Sequence, residues 1–213
     1  MSTDKKTHHF AHHFESAEHE YESGKEGVWV FMTSEILMFG GLFVGYIIYA
    51  GLYPEVFLEG STHLNWKYGA LNTAVLLLSS YTMVAGIYHL QQDNLKKAAT
   101  NLWVTVACAA AFMCIKYVEY THKFHLGYYP GQWMTGETNG VENLGMYFSF
   151  YYMMTGLHGI HVVVGAILIA WCAIRVKRGE FGSHRYLFVE GVGIFWHLVD
   201  LIWIFLFPLL YLV

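Results

Sequence analysis

The chain has 213 residues, of which 55% are hydrophobic and 13% charged, and a formal net charge of −4. A soluble domain carries about a quarter charged residues, so the deficit points to lipid as the solvent and away from an ordinary globular enzyme. The negative balance is mild and the basic residues form no continuous patch, which excludes nucleic acid as a partner.

Residues 1–26 form a polar, histidine-rich tail that also bears Lys5, Lys6 and Lys25. It lacks the short apolar core and small-residue cleavage site of a secretory signal, and its acidic residues argue against an organellar transit peptide. The run His8-His9-Phe10-Ala11-His12-His13 spaces histidines four apart, which can hold a transition metal adventitiously; a surface-lying tail is the simpler reading. From residue 27 to residue 213 the sequence reads as one membrane domain. A helix needs about 20 apolar residues to cross the bilayer core. Five segments reach that length, at about 28–50, 69–90, 99–120, 145–174 and 186–212. Lipid offers the backbone no hydrogen-bond partner, so such segments are helical, and barrel strands would be shorter and alternate in polarity. The expected fold is all-α, a polytopic bundle of five transmembrane helices.

Orientation follows from lysine and arginine placement. The tail holds Lys5, Lys6 and Lys25, the second loop Lys96 and Lys97, and the fourth Arg175, Lys177, Arg178 and Arg185. Opposite them stand Lys67 and Lys123, with Lys116 near the end of the third span. This asymmetry puts the N-terminus in the cytoplasm and the C-terminus outside, in the periplasm of a bacterial cell. Loops are short except residues 121–144, which carry Pro130-Gly131 and Thr138-Asn139-Gly140.

Ionisable residues at membrane depth are costly and call for a partner or a purpose. In the first span, Glu35 sits about two turns in, too deep to reach water easily. It is read as a neutral acid hydrogen-bonded across helices, or as a proton-handling or lipid-facing group. Gly41 and Gly45 follow at a spacing of four, which would let a neighbouring backbone approach closely. The fourth span carries His158 and His161, and the fifth carries His197 and Asp200, each pair three residues apart and so roughly on one face. If those spans are antiparallel neighbours, the four fall at similar depth and Asp200 can accept from a ring nitrogen. A structural hydrogen-bond network is the favoured reading, ahead of a proton relay and of a haem or metal site. Glu119 and Lys116 end the third span, where both can reach water as a boundary anchor. Cys108, Cys114 and Cys172 lie in apolar runs without CxxC spacing and read as buried small hydrophobes.

Four stretches together resemble subunit III of the haem-copper terminal oxidases. They are Thr33-Ser34-Glu35, Leu71-Asn72-Thr73 leading to Leu78-Ser79-Ser80, Thr155-Gly156-Leu157-His158-Gly159-Ile160-His161-Val162, and Phe195-Trp196-His197-Leu198-Val199-Asp200-Leu201-Ile202-Trp203. Lys116-Tyr117-Val118-Glu119-Tyr120 is a weaker fifth match. The resemblance runs from about residue 27 to the C-terminus and implies the short five-helix bacterial form of that subunit. It further implies a non-catalytic place in a proton-pumping cytochrome c oxidase, packed on subunit I, with subunit II in the same complex, in the bacterial inner membrane. Haem and copper would belong to those partners and none to this chain. Its implied tasks are to hold phospholipid, to support proton uptake and to sustain oxygen reduction, and the resemblance leaves a respiratory supercomplex open. Glu35 matches the family's membrane-buried carboxylate; His158, His161, His197 and Asp200 match its buried polar positions, and Asn72 its Asn-Thr pair. The lipid-holding cleft of the long form does not carry over intact, because two helices are missing, and Arg175 and Arg178 are generic candidates for lipid headgroups. The same residues leave open a quinol oxidase or nitric oxide reductase complex. A haem-binding membrane anchor built on His158, His161 and His197, or a small transporter built on Glu35, are the readings from other classes.

Overall fold

The computed structural model describes residues 17–182 and 186–212, with side chains from Glu22 onward. The tail histidines His8, His9, His12 and His13, and Arg185, lie outside the described residues. Six α-helices carry the chain: α1 (Ala17–Leu52), α2 (Pro54–Thr62), α3 (Trp66–Gln91), α4 (Leu95–His125), α5 (Leu144–Lys177) and α6 (Leu187–Tyr211). A single 3₁₀ turn at Gly131–Trp133 punctuates the long loop, and no strand occurs among the described residues. All helices except α2 are long and apolar enough to cross a membrane, as the hydropathy pattern predicts.

The helices overrun their apolar segments, because stop signals and not the membrane boundary decide where the hydrogen-bond ladder ends. Three of them end by the same device. After α4, Gly127 (φ 79°) donates to Phe124 O at 3.1 Å and Tyr128 to Lys123 O at 3.1 Å. After α5, Gly179 and Glu180 reach back to Val176 O at 3.0 Å and Arg175 O at 3.1 Å. After α3, Asp93 and Asn94 donate to Leu90 O at 3.1 Å and His89 O at 2.9 Å. Asn94 then caps α4, accepting from the Lys97 N–H at 3.5 Å, as Asn65 caps α3 from the Lys67 N–H at 3.1 Å. The short helix α2 was not expected. Pro54 creates it: the proline holds Tyr53 out of the helical region, ends α1, and supplies a ready N1 residue with Glu55 in the first turn.

Helices α3, α4, α5 and α6 form a ring in which α3 packs on α4, α4 on α5, α5 on α6 and α6 on α3. Met83, Phe112, Tyr151, Trp196 and Trp203 fill its centre and are all inaccessible. The first helix lies outside the ring against α6 and α5, and α2 lies across α5. Consequently α6 is the most buried crossing helix and α1 the least. Met32, Phe39 and Tyr46, seven apart, form the stripe by which α1 docks, and the Tyr46 hydroxyl donates to Leu209 O at 2.8 Å.

Lipid tails are as apolar as leucine, so helix association rests on close packing and interhelical hydrogen bonds. The close approach anticipated at Gly41 and Gly45 is not made there. A β-carbon on Gly41 would meet nothing within 4 Å, and one on Gly45 only Phe150 at 3.7 Å. Both glycines lie off the docking stripe of α1. Tight contacts fall at other glycines, among them Gly69, Gly193 and Gly165, where a β-carbon would stand 2.5 Å from Phe207, 2.6 Å from Ile87 and 2.8 Å from the Trp196 indole.

Candidate functional site

The stripe on α1 carries one acid. Glu35 meets His161 of α5, with Oε2 and Nε2 2.9 Å apart and the side chains 13% and 17% exposed. The other ring nitrogen, Nδ1, lies 2.8 Å from Leu157 O, one turn back on α5. A carbonyl only accepts, so Nδ1 carries a hydrogen. Nε2 and Oε2 lie at ion-pair distance, although Oε2 has no hydrogen bond of good geometry among the described residues. Phe39, edge-on at 5.4 Å, and Phe195 at 6.3 Å screen the pair. Glu35 and His161 therefore form a carboxyl–imidazole contact between α1 and the ring.

The network expected among His158, His161, His197 and Asp200 does not form as a unit. Residues three apart on a helix differ by about 60° in direction at 3.6 residues per turn, and that angle sends the members of each pair to different neighbours. His161 turns to α1, while His158 points into the ring between Phe112 (5.5 Å) and Trp203 (5.3 Å). His197 turns to α3, its Nδ1 2.7 Å from the Ser80 hydroxyl. Asp200 is buried, with Ser79 and Ser80 the hydroxyls nearest its carboxyl, and accepts from no ring nitrogen among the described residues. Both nitrogens of His158, the Asn72 amide and both Asp200 oxygens have no hydrogen-bond partner among the described residues. Buried polar groups of this kind are ordinarily satisfied by ordered water. Because no imidazole depends on Asp200, Asp200→Asn should move stability by less than about 1 kcal/mol, the scale of one hydrogen bond. An unfolding titration of the variant checks this.

Around these groups α3 contributes a hydroxyl ladder. Thr82 and Thr105 share a hydrogen bond at 2.8 Å across α3 and α4, the Trp196 Nε1–H donates to Ser79 Oγ at 3.1 Å, and the Trp203 Nε1–H donates to Thr73 Oγ1 at 3.0 Å.

Glu119 and Lys116 are not a water-reaching boundary pair. Helix α4 continues to His125, which leaves both inside the bundle at 3% and 5% exposure. The Lys116 ammonium donates to Glu119 Oε2 at 3.0 Å, to the Tyr211 hydroxyl at 2.7 Å and to the Tyr151 hydroxyl at 3.4 Å. The same ammonium stands 4.9 Å from the centre of the Trp203 ring. Tyr211 in turn donates to Glu119 at 2.7 Å, and Tyr120 and Thr155 hydrogen-bond beside them. The cluster ties α4, α5 and α6 at one end, and sequence reasoning missed it. Lys-x-x-Glu was visible, but nothing in the sequence said that Tyr151 and Tyr211 would converge on it.

At the same end, α2 is held by polar contacts to the long loop. Asn139 Nδ2 donates to Glu59 at 2.6 Å, Lys123 Nζ donates to His63 O at 2.8 Å, and the Tyr128 hydroxyl lies 3.0 Å from His63 Nδ1. Burial, together with Glu137 and Glu59, pushes the Tyr128 phenol above its ordinary pKa and keeps it a neutral donor.

At the opposite end, Arg175 is engaged by Glu180 at 2.9 Å and lies 4.4 Å over the Trp171 ring, whereas Arg178 is exposed. Cys108 and Cys172 are buried, but Cys114 is exposed on the outer surface of α4. Among the described residues no group of three or more His, Cys, Asp or Glu is placed to share a metal ion. Among the described residues the arrangement offers one carboxyl–imidazole pair, one buried ion pair and several hydrogen-bonded seams.

Comparison with known proteins gives the same direction. The family model for cytochrome c oxidase subunit III matches residues 7–213. A cytochrome c oxidase subunit 3 from Thermostichus vulcanus is 35% identical over 187 residues, covering 87% of this chain and 85% of its own. The subunit 3 of Synechocystis sp. is 32% identical over 189 residues, covering 87% and 74%. A probable cytochrome c oxidase subunit 3 from Rickettsia bellii is 29% identical over 206 residues, covering 87% and 67%. With a five-span fold and a match over nearly its whole length, the chain belongs to the cytochrome c oxidase subunit III family.

Proposed function

We propose that this chain is the non-catalytic third subunit of a proton-pumping cytochrome c oxidase, packed on subunit I, with subunit II in the same complex. Haem and copper stay in those partners, and oxygen is reduced there. The N-terminus faces the cytoplasm and the C-terminus the periplasm of a bacterial inner membrane, which is the orientation that the distribution of Lys and Arg favours. Phospholipid fills the surface that the partners leave free. The equivalent subunit of a quinol oxidase is the second reading, since electron entry is set by another chain.

The observation that carries the functional part is the Glu35–His161 pair. A carboxyl and an imidazole in contact can share a proton, and this pair sits on the least buried helix, where a neighbouring subunit can reach it. In the assembled oxidase this suits a support role in proton uptake and in lasting turnover. The test is turnover of the purified complex with Glu35→Gln. The variant keeps shape and can still donate to His161, but it holds no transferable proton. Turnover should fall, or decay faster over successive cycles, with a pH profile unlike that of the parent. Unchanged turnover, decay and pH profile would leave Glu35 a packing residue. Affinity purification of the tagged chain in mild detergent tests the assembly: a haem-bearing large subunit is expected in equal amount, and its absence would contradict the proposal.

A further inference from the structure

Antiparallel packing brings the start of α4 and the end of α5 together. There Lys96, Thr100 and Trp103 of α4 and Lys177 of α5 line a recess of about 440 Å³. Further along the same two helices lies a second recess of about 270 Å³, lined by Val106, Ala110 and Met113 on one side and Val163, Ala166 and Ala170 on the other. No polar side chain faces it. Trp103, Val163 and Ile167 are each more than a third exposed, so both recesses open outward along the same α4–α5 furrow. Fourteen residues separate Lys96 from Ala110, about 21 Å of helix at 1.5 Å per residue. That is about half the thickness of a bilayer with its headgroups, the depth of one leaflet.

Lys96 and Lys177 are exposed, and neither has an ion-pair partner among the described residues. The nearby acid Glu180 is taken by Arg175. A pair of free ammonium groups over a furrow of alanine and valine matches an amphiphile with a negative head and a hydrocarbon tail. An apolar helix of another protein would leave both lysines unpaired.

We propose that the α4–α5 furrow binds one anionic phospholipid, its phosphate between Lys96 and Lys177 and an acyl chain along Val106, Ala110, Met113, Val163, Ala166 and Ala170. This rests on the membrane and oxidase reading above, and it moves the headgroup contact from Arg175 and Arg178 to these lysines. Trp103 packs beside the glycerol region, between head and tail.

The test uses the assembled oxidase in phosphatidylcholine vesicles doped with phosphatidylglycerol that carries a photoreactive diazirine on one acyl chain. Peptides spanning 106–113 and 163–170 should be labelled. The same diazirine on phosphatidylcholine should label them far less. A Lys96→Gln, Lys177→Gln double variant, which changes only exposed side chains, should lower phosphatidylglycerol labelling by roughly 25-fold, at about fivefold per lysine. Ala166→Phe should abolish labelling with both lysines intact. Equal labelling by the two lipids, labelling indifferent to the double variant, or crosslinking of the furrow to another subunit or a second copy would each overturn the assignment. Haem content of the tagged complex, read on the same samples, separates the two levels. An intact oxidase with an unlabelled furrow contradicts only the lipid site, and a preparation without a haem-bearing partner contradicts the functional reading.

Discussion

Lys116→Met should destabilise the bundle by about 3–5 kcal/mol, the cost of leaving one member of a buried ion pair without its partner. The reason lies in what remains. Glu119 is 3% exposed and would lose the ammonium that donates to its Oε2 at 3.0 Å. The Tyr211 and Tyr151 hydroxyls would lose the ammonium that now lies 2.7 and 3.4 Å from them. Removing both charges is a different matter. Lys116→Met with Glu119→Leu eliminates the buried charge and should recover most of the loss, since apolar replacement of a whole buried pair is often neutral. The Tyr151 and Tyr211 hydroxyls, left with only each other as partners, limit the recovery, by about 1–3 kcal/mol for the unsatisfied group if water does not reach it. Unfolding titrations in detergent of the parent, both single variants and the double variant give the coupling directly. Losses that simply add would mean the pair is solvated and not a lock between α4, α5 and α6.

The second large effect is expected at the opposite side of the ring. Trp196→Ala should cost about 3–5 kcal/mol, the range for truncating a buried large aromatic. The indole fills the space that Gly165 leaves on α5, and its Nε1–H reaches Ser79 of α3 at 3.1 Å. One side chain thus joins three helices. Trp196→Phe keeps much of the volume but drops the donor, so its cost should be smaller by at least half. Gly165→Val attacks the same contact from the other face, since its β-carbon would stand 2.8 Å from the ring. A loss in Trp196→Ala no larger than in Trp196→Phe would show that the hydrogen bond, not the packing at Gly165, holds the seam.

The crossing helices were legible in the sequence because lipid imposes a length and a polarity that no other solvent does. Their ends were less so, because Gly127, Gly179 and Asp93 set the stops of α4, α5 and α3 by local turn chemistry, beyond the last apolar residue. That error propagated to the site. Lys116 and Glu119 looked like a boundary pair because the apolar segment ends near them, whereas α4 runs on to His125 and carries both indoors. Glu35 and His161 were visible as costly groups at depth, but their pairing was not. It depends on which azimuth of α1 faces α5, and Met32, Phe39 and Tyr46 reveal that only once the helix is packed. The same blindness to azimuth put Gly41 at a close approach, although it has no close neighbour inside this chain, and grouped His158, His161, His197 and Asp200 in one network when they look toward different helices. Helix α2 had a signal in Pro54, preceded by Tyr53 and followed by Glu55, that a reading tuned to long apolar runs passes over.

The division of labour between this chain and its partners can be measured by stripping it from the purified oxidase with a stronger detergent and following haem absorbance in both fractions. The expected result is a colourless chain, a depleted complex with its full complement of haem and copper, and a turnover rate that starts near normal and then decays. Haem absorbance travelling with the five-helix chain would contradict it.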